Sequence, residues 1–296
     1  MTFLAPNRIL QGDALEHLEI LPKNSIDLTI TSPPYNKRKR QNPGWLVNAD
    51  LYSDFDDHLE ESEYQKLQIK ILKELYRITK PGGSLFYNHK LRWENGELIH
   101  PLSWLTKSKW TIKQEIVWDR QIAANVRGWR FYQIDERIYW LYKPVNGYLI
   151  GKELESRHAK LSSIWRIKPA PRMKEHPAPF PIEIPARIIY SLLNGVKGLI
   201  LDPFCGTGTT LVAAKLLEHD YLGIDISSTY IDLAEERIEN YENEKPQVDL
   251  ECQKHVVREP FKKRKERGKT TWPFGPRSNK NGDGKLEVDP KETLIK

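Results

Sequence analysis

Two stretches of this 296-residue chain hold residues that could do chemistry. The first, Thr31-Ser32-Pro33-Pro34-Tyr35-Asn36, sets a hydroxyl, proline-locked carbonyls, an aromatic ring and an amide in one short run. Proline cannot donate a backbone hydrogen bond, so the apolar run before it, Ile26–Ile30, must stop being a strand at this corner. A stiff, acceptor-rich corner with a flat ring suits gripping a planar group that carries an amine. The second, Asp202-Pro203-Phe204-Cys205-Gly206-Thr207-Gly208-Thr209-Thr210, follows the apolar Gly198–Leu201 and precedes a helical run. Its glycines let backbone amides approach a ligand, and a helix start favours a carboxylate. No Lys-Ser/Thr follows the second glycine, which excludes a P-loop. Taken alone, Pro-Pro is a turn and Gly-x-Gly is weak. Asp225 ends a further apolar run, Tyr221–Ile224, where an acid binds ribose hydroxyls in Rossmann-like sites. Asp13 stands at the end of Arg8–Leu10 and reads as a helix N-cap.

The elements that must position these groups alternate. Apolar spacing predicts strands at Arg8–Leu10, Ile26–Thr31, Ser84–Asn88, Thr111–Trp118, Glu136–Lys143, Leu199–Asp202 and Tyr221–Ile226. It predicts helices at Ala14–Leu21, Glu63–Thr79, Leu98–Thr106 with an interruption at Pro101, Ile184–Leu193, Leu211–Leu217 and Thr229–Tyr241. Lys80-Pro81-Gly82-Gly83 reads as a helix stop and turn. This alternation is that of an α/β fold around a parallel sheet. With Ile26–Thr31 and Leu199–Asp202 as adjacent central strands, their carboxyl ends bring the two chemical stretches together.

Composition narrows the classes. The chain is 39% hydrophobic and 29% charged, normal for a globular protein, and its net charge of +6 suits a nucleic-acid partner. No apolar run is long enough to span a membrane, and the first residues lack a signal-peptide pattern, so a cytoplasmic location is expected. Cys205 and Cys252 form neither a metal-ligand spacing nor a disulfide framework. The basic run Lys37–Trp45, within a loop spanning 37–62, lies directly behind the corner and is a candidate for phosphate contact or for a lid. In 144–175, basic and aromatic residues interleave (Lys152, Arg157, His158, Lys160, Trp165, Arg166), as a DNA surface requires. From Glu242 periodicity fades, so residues 1–241 form the expected domain and 242–296 a basic, flexible tail.

Ser32-Pro33-Pro34-Tyr35 resembles motif IV of the DNA amino-methyltransferases, written Asp/Asn/Ser-Pro-Pro-Tyr/Phe, and Asp202–Thr210 resembles their motif I almost letter for letter. Asp13 is similar to motif III. His176-Pro177-Ala178-Pro179-Phe180-Pro181 is similar to motif X, with Phe180 where the family more often has Lys. Catalytic motif first and cofactor motif late is the order of the β group, and the resemblance covers about Arg8 to Tyr241. It implies a Rossmann-like, S-adenosylmethionine-dependent methyltransferase fold: a circularly permuted, mostly parallel seven-stranded sheet with an antiparallel hairpin. It implies catalytic roles for Ser32, Pro33, Pro34 and Tyr35. Contacts to S-adenosyl-L-methionine fall to Asp13, His176, Asp202, Phe204, Cys205, Gly206, Gly208, Thr209 and Asp225.

The implied substrate is double-stranded DNA, with the target base flipped out of the helix. In this family Ser at the first motif IV position goes mostly with N4-cytosine and Asp mostly with N6-adenine, so Ser32 points to N4-methylcytosine, with N6-adenine the alternative. The family often serves restriction-modification systems, which leaves room for a homodimer and for a cognate restriction endonuclease acting on the same site. Neither cysteine follows a proline as a C5-cytosine nucleophile must. Other classes that share parts of the pattern are RNA or protein N-methyltransferases, a DNA-binding module with a dead site, and a nicotinamide dehydrogenase.

Overall fold

The computed structural model describes residues 5–36, 59–122, 130–145, 162–170, 180–193, 196–254, 279–280 and 286–287. The chain divides into two compact units, Met1–Val256 and Val257–Lys296. The described residues of the second form a short antiparallel pair, Asn279–Lys280 with Leu286–Glu287.

The first unit is built on one sheet. Its strands are β1 (Arg8–Gln11), β2 (Ile26–Thr31), β3 (Thr79–His89), β6 (Thr111–Asp119), β7 (Asp135–Tyr142), β8 (Ile164–Arg166), β9 (Leu199–Asp202) and β10 (Asp220–Asp225). They lie in the order β1-β10-β9-β2-β3-β7-β6-β8. Pairing is parallel from β1 to β3 and between β6 and β8, and antiparallel on both sides of β7. The expected neighbours are neighbours: Leu28 pairs with Ile200 and Thr29 with Leu201. Side chains alternate across the sheet. Leu85, Tyr87, Leu201 and Leu222 face α1 (Ala14–Ile20), α2 (Glu61–Ile78) and α3 (Leu102–Leu105). Leu28, Ile30, Phe86 and Ile200 face α4 (Glu183–Leu193), α5 (Thr209–Leu216) and α7 (Lys245–Lys254). α6 (Ser228–Glu239) packs against β1 and β10. A central strand covered on both faces has little room for polar alternation, which is why β2 is buried along nearly its whole length.

Several expectations are corrected. The sheet has eight strands, not seven, because Ile164–Arg166, within the expected recognition insertion, pairs parallel with β6 and buries Trp165. The turn at Lys80–Gly83 is absorbed into β3: Ile26 pairs with Thr79 and Leu28 with Ser84, so the extra residues bulge out. The helix expected to start at Leu98 is a hairpin, β4 (Arg92–Glu94) and β5 (Glu97–Ile99), and the helix shrinks to α3. The start of the expected tail is helical, a 3-10 turn at Tyr241–Glu244 followed by α7, whose Val248 joins the core and whose Glu251 bonds Arg187 on α4 at 2.6 Å. Residues 37–58 and most of 144–175 lie outside the described residues.

Candidate active site

The corner begins where β2 ends. Thr31 is buried and its Oγ1 donates to Asp202 Oδ1 at 3.0 Å. That single bond ties the end of β2 to the end of β9. Ser32 follows, and its Oγ lies 2.7 Å from the hydroxyl of Tyr35. Tyr35 donates to Glu136 Oε2 at 2.9 Å. Asn88, near the end of β3, directs its Nδ2 toward the Tyr35 hydroxyl at 2.8 Å, Glu136 Oε2 at 2.9 Å and Ser32 Oγ at 3.3 Å. Lys90 and Arg120 each approach Glu136 Oε1 at 3.2 Å. Burial alone would push the Glu136 carboxyl up. The two cations and the hydrogen bonds from Asn88 and Tyr35 more than offset this and hold it below its ordinary value, so it is an anion at neutral pH.

The backbone of the corner is held separately. The hydroxyl of Tyr64, on α2, sits between the Pro34 carbonyl at 2.8 Å and His89 Nε2 at 2.7 Å. His89 Nδ1 lies 2.7 Å from the Lys90 carbonyl, which can only accept, so the proton is on Nδ1. Burial pushes this imidazole down to about 3, so it is neutral. The Tyr35 ring packs against it, centroids 4.7 Å apart. Asn36 donates to the Leu59 carbonyl and stands at φ 52°, which turns the chain out of the corner.

The second stretch folds as a loop between β9 and α5. Asp202 lies beneath it, 1% exposed, with Oδ1 accepting from Thr31 and the Phe204 amide and Oδ2 from Thr210. Burial pushes this carboxyl up to about 6 against those hydrogen bonds. Gly206 and Gly208 stand at φ 49° and 78°, left-handed conformations that strain most side chains. At Gly208 a Cβ would also come within 2.9 Å of the Ala234 Cβ on α6. Asp225, at the end of β10, accepts from the Gly206 amide at 2.8 Å and the Ser227 amide at 3.0 Å. The Gly206 and Gly208 amides, which the sequence offered to a ligand, are bonded inside the loop, to Asp225 and to the Cys205 carbonyl. Asp13 caps α1 through the Leu15 and Glu16 amides, and the Gly12 amide bonds the Asp225 carbonyl. Cys205 is buried beside Gly223, and burial pushes its thiol well up, so it is no nucleophile. Thr209 accepts from Arg237. His176 lies outside the described residues.

The structure thus brings Ser32–Tyr35, Asp202–Thr209, Asp13 and Asp225 to the carboxyl edge of adjoining parallel strands, where open α/β sheets bind ligands. Sequence reading missed Asn88, Lys90, Arg120 and Glu136 around the corner. It also missed Arg237, which grips the Thr207 carbonyl at 2.6 Å and pairs with Glu244 at 2.8 Å. In the sequence Glu136 is only one acid of Asp135-Glu136-Arg137 at a strand's start, and its burial shows only in the fold.

The residues present suit a nucleoside with a charged tail: an acid at the end of β10 for ribose hydroxyls, a second acid at the end of β1, and a glycine loop running into a helix N-terminus. Comparison with known proteins agrees. The N6/N4 DNA methylase family model matches residues 26–236. The chain is 29% identical over 267 residues to the type II methyltransferase M.HinfI of Haemophilus influenzae, covering 82% of this chain and 71% of that one. It is 28% identical over 266 residues to M.HpaI of Haemophilus parainfluenzae, covering 82% and 77%. Among solved structures, the DNA modification methylase TTHA0409 of Thermus thermophilus, complexed with S-adenosyl-L-methionine, superposes with a TM-score of 0.56 at 26% identity, covering 79% and 95%. The cytosine-N4-specific PvuII DNA methyltransferase reaches a TM-score of 0.62 at 19% identity, covering 81% and 93%, a likeness of fold.

Proposed function

The chain belongs to the N6/N4 DNA methylase family, and on that premise we propose that it methylates the exocyclic N4 of cytosine at a specific site in duplex DNA. The methyl donor is S-adenosylmethionine, and the setting is a restriction-modification system. The carrying observation is the residue at the head of the corner: Ser32, a neutral hydroxyl rather than a carboxylate, tied into the Tyr35–Asn88–Glu136 network. This reading rests on Ser32 and the family pattern of its position.

The chemistry asks little covalent work of the protein. An aromatic amine is a poor nucleophile because its lone pair is delocalised into the ring. The cofactor, when bound, supplies a methyl group already activated on a sulfonium. Ser32 Oγ and the Pro33 carbonyl accept the amine hydrogens, which draws the nitrogen toward tetrahedral geometry and aims its lone pair. Pro34 stiffens the corner, its carbonyl 2.8 Å from the Tyr64 hydroxyl, so that these acceptors do not move. Tyr35 offers its ring to the flipped base, backed by His89. Asp225 would hold the ribose hydroxyls of the cofactor, and Phe204, Cys205, Gly206, Gly208 and Thr209 would line the wall around it, braced by Asp202.

Transfer of labelled methyl from S-adenosylmethionine to mixed-sequence duplex DNA, with product nucleosides separated by mass, tests the proposal. Label in N4-methylcytosine is expected. Label in N6-methyladenine would keep the mechanism and replace the base.

A further inference from the structure

The buried cluster behind Ser32 has a direction, set by counting protons. Glu136 is 4% exposed and anionic, so both its oxygens can only accept. Lys90 and Arg120 serve Oε1, and Tyr35 and Asn88 serve Oε2. Tyr35 has one hydroxyl proton, and the carboxylate is the strongest acceptor it meets. With that proton directed at Glu136, the Tyr35 oxygen must accept from its other neighbours, the Ser32 hydroxyl at 2.7 Å and Asn88 Nδ2 at 2.8 Å. The Ser32 proton therefore points inward, to Tyr35. A serine hydroxyl is by nature both donor and acceptor; here the acceptor side is the one turned to a bound amine. Nδ2 of Asn88 is fixed in place by the same anion, while its Oδ1 is buried without a partner among the described residues, a cost that the Glu136 contact must offset.

We propose that Glu136 is a positioning residue for methyl transfer: acting through Tyr35, it fixes Ser32 as an acceptor and receives the proton that the amine must lose. The proposal rests on the reading of Ser32 as the amine's acceptor given above. In the step itself, the nitrogen lone pair forms the N–C bond, and the C–S bond breaks with its electrons going to sulfur. The methylated nitrogen keeps the electrons of one N–H bond, whose proton passes to Ser32 Oγ. The Ser32 proton moves to the Tyr35 oxygen and the Tyr35 proton to Glu136 Oε2, leaving a neutral carboxylic acid between Lys90 and Arg120. The two inner hops, Ser32 to Tyr35 and Tyr35 to Glu136, run along hydrogen bonds already made, at 2.7 Å and 2.9 Å.

Replacing the carboxylate by an amide of equal size reverses the chain. In Glu136→Gln the side-chain carbonyl would turn to the two cations and the NH2 to Tyr35. Tyr35 would then donate to Ser32, and Ser32 would present its proton to the amine.

The test is single-turnover methyl transfer at saturating cofactor and DNA, by the full chain. Glu136→Gln is expected to lower the transfer rate by about a hundredfold, the scale of one general-base contribution, with affinities for S-adenosylmethionine and DNA unchanged. Tyr35→Phe, which cuts the chain at its middle and keeps the ring, should lose a similar factor, and the double variant should be no slower than the slower single one. Formate should restore part of the rate to Glu136→Ala, where chloride at equal ionic strength does not. A folded Glu136→Gln that transfers at the wild-type rate overturns the proposal. Should that variant not fold, a wild-type rate in Tyr35→Phe overturns it instead. Failure of the wild-type protein to methylate DNA at all would strike the functional reading rather than this one.

Discussion

Removing the Ser32 hydroxyl takes away an acceptor but leaves the corner's backbone, whose shape Pro33 and Pro34 set. Ser32→Ala is therefore expected to bind S-adenosylmethionine as the wild type does and to lose at least about a hundredfold in methyl transfer, read in a single-turnover assay. Asp225→Ala should act in the opposite way: calorimetric affinity for the cofactor falls by about tenfold or more, because a charged acceptor for the ribose is gone. Asp202 makes a prediction about pH. Its carboxyl is raised to about 6 in the folded chain, above its ordinary 3.8, mainly by burial. The folded state thus holds a proton that the unfolded state has released between those values, so stability falls as pH rises from about 4 to about 6. The size is about 3 kcal/mol from the shift. Thermal melting at pH 4.5 and pH 7 should differ less in Asp202→Asn than in the wild type. The motif residues were legible at this scale because they are contiguous. Glu136 was not, since its contact to Tyr35 spans 101 positions and that to Asn88 spans 48. The pairing of β2 with β3 and of β3 with β7 brings them together.

At the scale of elements, the positions of helices and strands followed apolar period closely, and failures came where a local signal competed with it. Asn95-Gly96, at φ 49° and 84°, is the two-residue turn that joins β4 to β5, and it marked a hairpin that the helical spacing from Leu98 obscured. The Lys80–Gly83 segment read as a turn from its Pro and Gly, yet a bulge let β3 run through it. The glycine loop shows what a helix start costs here. Gly208→Ala meets a φ of 78° and a contact of 2.9 Å to Ala234. Loss of about 2–5 kcal/mol in urea unfolding is expected, the sum of backbone strain and overpacking between α5 and α6.

At the scale of the molecule, the sheet order was legible and the domain's end was not. Apolar period fades after Tyr241, but α7 belongs to the first unit, with Val248 in the core and Glu251 2% exposed against Arg187. A buried charge pair leaves almost no hydrophobic pattern to read. A chain ending at residue 241 should melt well below one ending at 256, because removing one partner of a buried pair costs about 3–5 kcal/mol. The net charge of +6 belongs to this scale too, and affinity for DNA of any sequence should fall steeply with salt. The most direct measurement joins all three scales: S-adenosylmethionine with a deuterated methyl group, mixed-sequence duplex DNA, and mass analysis of the nucleosides from parallel reactions with wild type and Ser32→Ala. Deuterated N4-methylcytosine from the wild type, sharply reduced in Ser32→Ala, is the expected result. Cofactor binding with no label in either cytosine or adenine would contradict it.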